Sequence, residues 1–88
     1  MKIKKGFVIR KVGDAHVVVP VGELSKTFHG MINLNETGAF LWKFFTEDHT
    51  IDEGVTALCG EYEVDEEKAR IDVEKFANIL TKNEFIEK

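Results

Sequence analysis

Cysteine, proline, positive charge and long apolar runs are all scarce in this 88-residue chain, and each scarcity excludes something. One cysteine, Cys59, rules out an internal disulfide and leaves no thiolate set for a metal or an iron–sulfur cluster. One proline, Pro20, and scattered glycines leave no linker and no phosphate-cradling loop. The net charge of −4 disfavours nonspecific nucleic-acid binding, which needs clustered cations to displace counterions from phosphates. No apolar run approaches the roughly 20 residues of a membrane span. Met1-Lys2-Ile3-Lys4-Lys5 carries charge without a following apolar stretch, so a signal peptide is not expected and a cytoplasmic location is.

What is present suits a folded protein. The composition is 43% hydrophobic and 32% charged. The length predicts a single domain over residues 1–88 with a small core. Charge is uneven. Lys2, Lys4, Lys5, Arg10 and Lys11 crowd the start, while residues 47–74 are acidic apart from Lys68 and Arg70.

The pattern predicts three strands and then three helices. The first strand is expected from Ile3 to Val12, with a weak point at Gly6 and a tight turn at Gly13-Asp14. The second, Ala15 to Val21, is a β-branched run, and Pro20 predicts one unpaired side there. The third runs from Gly30 to Leu34, where Ile32 and Leu34 alternate with Met31 and Asn33. Asn35 is placed as an N-cap with Glu36 at the positive end of the helix dipole, predicting a helix from Glu36 to Glu47.

Thr50 and Glu53 form a capping box for a second helix. Its apolar stripe is Ile51, Val55, Leu58, Cys59 and Tyr62, and Gly60 with Glu63-Val64 should end it. Asp65 caps the third helix. Ala69, Val73, Phe76, Ala77 and Leu80 form its buried stripe, and Phe85-Ile86 should pack back on the core. A small three-stranded antiparallel sheet followed by three helices is an α+β fold.

No residue set points to catalysis. His16, His29 and His49 lie on different elements without a second ligand at metal spacing. Cys59 sits on an apolar stripe, where cysteine behaves as a small hydrophobe. The carboxylates fall on caps and helix faces. Phe40, Trp42, Phe44 and Phe45 cannot all face one way on a helix, so burial between two layers is expected before an aromatic interface. The third helix is different. At about 100° per residue, Lys68, Ile71, Lys75, Ile79 and Lys82 make a mixed basic and apolar flank. A solvated face with two stray isoleucines explains it; so does one wall of a groove for a peptide bearing acidic and apolar side chains.

Leu34-Asn35-Glu36-Thr37-Gly38-Ala39 with Leu41-Trp42 resembles the signature of the PqqD-like family. Tyr62-Glu63-Val64, Asp72-Val73, Phe76 and Phe85-Ile86 follow in the order of that family's second half. The family consists of noncatalytic recognition elements that hold a ribosomally made precursor peptide for a modifying enzyme. Pyrroloquinoline quinone biosynthesis is one such pathway among several. The resemblance implies a winged helix-turn-helix type of fold and no cofactor on this chain. It also implies a radical S-adenosylmethionine enzyme or another peptide-modifying enzyme as partner. The leader of the precursor is expected to add beside the third strand at Met31, Ile32, Asn33 and Leu34. It would pack against Lys68, Ile71, Asp72, Lys75, Ile79 and Lys82. The chain itself is expected as a monomer or weak homodimer. Two other readings compete: a winged-helix DNA-binding regulator reading bases through the third helix, and a structural subunit dimerising through the aromatic helix.

Overall fold

A glycine with φ of 63° at position 13 opens the two-residue turn that folds the chain into its first hairpin, as a type II′ turn requires. β1 (Phe7–Val12) and β2 (Ala15–Pro20) run antiparallel from Val12↔Ala15 to Phe7↔Pro20. β3 (Ile32–Leu34) joins the other side of β2, opposite His16, Val17 and Val18. That register stops two residues short of Pro20. Helices α1 (Glu36–Phe44), α2 (Ile51–Glu61) and α3 (Glu66–Lys82) follow. This computed structural model describes residues 1–22, 26 and 32–87, and its architecture is the expected α+β arrangement.

Four boundaries differ from expectation, three of them for a local reason. β1 starts at Phe7, because Gly6 takes φ of 108° and turns the chain away. Ile3 instead pairs with Ile86, while its N–H donates to the Phe45 carbonyl at 2.8 Å. β2 stops at Pro20 rather than Val21. α1 ends at Phe44, because the Thr46 hydroxyl donates to the Lys43 carbonyl at 2.6 Å and competes with a further helical turn. α2 continues through Gly60 to Glu61 and ends where Tyr62 turns extended. Gly30 and Met31 lie outside the described residues.

The caps stand as read. Asn35 accepts from the Gly38 N–H at 2.7 Å, and Asp65 from the Lys68 N–H at 2.8 Å. Thr50 and Glu53 exchange bonds of 3.1 and 2.8 Å. α3 ends in a Schellman motif: Phe85 N–H bonds the Leu80 carbonyl and Glu84 N–H bonds the Thr81 carbonyl. Glu84 holds the left-handed position with φ of 62°, where glycine is usual. The motif turns Phe85 into the core.

That core joins sheet and helices through Val18, Leu41, Phe45, Leu58, Val73 and Leu80. Every residue of the expected α3 stripe is buried. Gly54 lets α2 lie on the ring of Phe45; an added Cβ would sit 2.7 Å from its Cζ. The aromatic helix is used internally. Trp42 meets Phe7 and Phe85 edge-on, Phe40 meets Tyr62, and Phe44 stacks on His49 at 4.0 Å. This is burial between two layers.

The capping box gives a pH prediction. The bond from the Thr50 N–H holds the Glu53 carboxyl below its ordinary range; slight desolvation opposes this and His49 adds to it. A lowered folded-state pKa contributes stability above the unfolded carboxylate range, and that stability is lost as pH falls through the folded value. Glu53→Gln should therefore flatten the decline in urea midpoint below about pH 4.5. Parallel curves for the two proteins from pH 7 to pH 3 would remove Glu53 as a contributor.

Candidate functional site

The sheet order β1-β2-β3 puts β3 at an edge. β2 occupies one side of it, and among the described residues no strand occupies the other. Alternate amides and carbonyls of an edge strand point outward and can receive another chain. β3 is short, and Asn35 alone separates it from α1. Gly38 draws the first turn of α1 onto the end of β3, where an added Cβ would lie 3.4 Å from Leu34 and 3.1 Å from Asn35 Oδ1.

Across from this edge stands α3. Between them runs an open groove of about 450 Å³. One wall is Asn33, Leu34 and Asn35 with Thr37 and Gly38 of α1. The other is Lys68, Asp72, Lys75 and Ile79. Leu41 and Phe76, both buried, reach its floor. Ile79 is 49% exposed and adds an apolar side chain to the rim of this groove.

Six of the ten residues expected at the site meet at this groove: Asn33, Leu34, Lys68, Asp72, Lys75 and Ile79. Ile32 is half-buried and packs on the core instead. Ile71 is 48% exposed on the adjacent flank of α3, and Lys82 is exposed beyond the groove. Met31 lies outside the described residues. Asn35, Thr37, Gly38, Leu41 and Phe76 were not anticipated as lining. Asn35, Gly38, Leu41 and Phe76 each have a structural duty that hides a second one. Asn35 reads as a cap and Phe76 as core, and only the position of the opposing wall reveals the other role.

The charges in the groove are not equivalent. Lys68 Nζ lies 3.3 Å from Asp72 Oδ2, one helical turn away. Among the described residues Lys75 has no ion-pair partner. On the other flank Arg70 bonds Asp52 at 2.9 Å, which raises its pKa and ties α3 to α2. No described group of histidine, cysteine and carboxylate side chains could hold a metal ion. Among the described residues no helix is long and apolar enough to cross a membrane.

An edge strand facing a helix across an open, mixed-polarity groove, in a three-stranded sheet followed by three helices, marks an α+β protein of the winged-helix type. Residues 15–86 match the family described as coenzyme PQQ synthesis protein D, PqqD, and the chain belongs to that family. It is also similar to a solved structure, TbiB1 in complex with the TbiA(beta) leader peptide. The TM-score is 0.76 at 28% identity, covering 99% of this chain and 95% of that one. No functionally curated protein gives a significant match.

Proposed function

We propose that this protein is a noncatalytic adaptor that binds the leader of a ribosomally made precursor peptide and presents it to a modifying enzyme. The observation that carries the reading is the open β3 edge facing α3 across the groove. It is supported by family membership and by the similar TbiB1, which was solved with a leader peptide. The leader adds a strand beside β3. Main-chain hydrogen bonds supply affinity, and side chains set between β3 and α3 supply specificity. Asn33, Leu34, Lys68, Asp72, Lys75 and Ile79 make the direct contacts, with Met31 and Ile32 continuing the strand wall and Ile71 and Lys82 the outer shoulder. The whole chain acts as one recognition domain, monomeric or weakly dimeric, in the cytoplasm.

Chemistry belongs to the partner, a radical S-adenosylmethionine enzyme or another peptide-modifying enzyme. Holding the substrate beside that enzyme raises its effective concentration without any bond being made or broken here. The DNA-binding alternative is disfavoured by the net charge of −4 and by the ion pairs of α3. Arg70 is engaged by Asp52 and Lys68 by Asp72, so few cations are left for phosphates or base edges. Among the described residues, dimerisation through the aromatic helix finds no exposed aromatic patch. The exposed large hydrophobics there are Val12, Val21, Ile71 and Ile79.

Calorimetry with the leader encoded beside this gene tests the proposal. One-to-one binding with Kd near or below about 1 μM is expected, the range in which about 8 kcal/mol holds the complex together. An absence of binding by any short reading frame next to a modifying-enzyme gene, combined with a salt-dependent gel shift on DNA, would favour the regulator.

A further inference from the structure

We infer that the groove reads a spacing: a large apolar side chain and a carboxylate two residues apart on one face of the docked strand, with the carboxylate meeting Lys75. This rests on the peptide-docking reading and deepens it.

The groove follows the axis of α3, because its wall residues Lys68, Asp72, Lys75 and Ile79 occupy successive turns. Those eleven steps span about 16 Å, the length of roughly five extended residues. Lys75 and Ile79 stand one turn apart, about 6 Å along the axis. Two residues of an extended chain advance about 6.7 Å and return the side chain to the same face. A peptide lying along α3 therefore sets residue i on Ile79, over the apolar floor of Phe76 and Leu41, and its neighbour two positions away on Lys75.

The charge at that second position is dictated by what the groove lacks. Its β3–α1 wall offers Asn33, Leu34, Asn35, Thr37 and Gly38, all uncharged. Lys68 already pairs with Asp72 at 3.3 Å, so a carboxylate arriving there would also meet Asp72. Among the described lining residues Lys75 is the one charge without a partner. A docked strand takes water from its ammonium. A ligand carboxylate replaces that water with a charge-assisted hydrogen bond, whereas an amide or a lysine leaves the charge uncompensated.

The test is selection of a phage-displayed library of random twelve-residue peptides on the full chain, on Lys75→Glu and on Ile79→Glu. Both altered residues are exposed, and circular dichroism of the variants should match the wild type. The wild-type protein should enrich a large apolar residue with Asp or Glu two positions away. On Lys75→Glu the acid should give way to Lys or Arg at the same spacing. The best peptide should lose affinity about tenfold when its acid becomes the amide, and Lys75→Glu should erase that difference. An acidic preference that is absent, falls at another spacing, or is unchanged on Lys75→Glu overturns the spacing rule. If Ile79→Glu still abolishes enrichment in that case, peptide docking stands. Peptides enriched equally by wild type and Ile79→Glu overturn docking at this groove along with the rule.

Discussion

Replacing Ile79 with Glu should abolish leader binding and leave the fold intact. Ile79 is half exposed, so its loss removes little core, and a stability change within about 0.5 kcal/mol is expected. Binding is another matter. A docked strand closes over this position, and the new carboxylate would be sealed against the apolar floor of Phe76 and Leu41. Lost apolar contact together with a desolvated carboxylate costs about 2–5 kcal/mol, or at least about 30-fold in Kd. Calorimetry with the leader reads the loss, and a urea titration reads the fold. Unchanged affinity would remove α3 as a wall of the site.

Phe45→Ala should bring the largest loss of stability in the chain. Phe45 is completely inaccessible to solvent. Its ring lies against Gly54 of α2, and its carbonyl receives the Ile3 N–H that stitches the N-terminal segment to the core. Truncation leaves a cavity where α1, α2 and that segment meet, and Phe→Ala changes of this kind cost about 3–5 kcal/mol. Small domains hold stabilities of only about 5–15 kcal/mol, and a short chain belongs near the lower end. The variant should therefore be partly unfolded at 37 °C, with a strongly lowered urea midpoint. A loss below about 1 kcal/mol would mean that Phe45 does not centre the packing.

What the sequence disclosed depended on how local the governing physics is. The caps at Asn35, Thr50 and Asp65 were legible because each needs only a side chain and an amide three residues on. The α3 stripe was legible because helical periodicity alone selects it. The extent of β1 was not. Gly6 could have been tolerated within a strand; its φ of 108° and the pull of Ile3 toward Phe45 and Ile86 decide otherwise. At the site, a helical wheel located the basic and apolar flank of α3 but not the place of the facing wall. Ile71 and Lys82 therefore fell outside the groove, while Phe76 and Leu41, assigned to the core, reached its floor. The family resemblance supplied the missing partner of α3, namely β3. The charge balance between Lys68, Asp72 and Lys75 became visible only with side chains in place.

The central physical claim is that β3 offers free backbone groups to an incoming strand. Backbone amide hydrogen exchange, followed by NMR with and without the leader, tests it most directly. The outward amides of Ile32 to Leu34 should exchange rapidly in the free protein and become strongly protected in the complex, with shift changes at Lys75 and Ile79. Saturating leader that leaves β3 exchange unaltered, while protecting β1 or α2, would contradict the account.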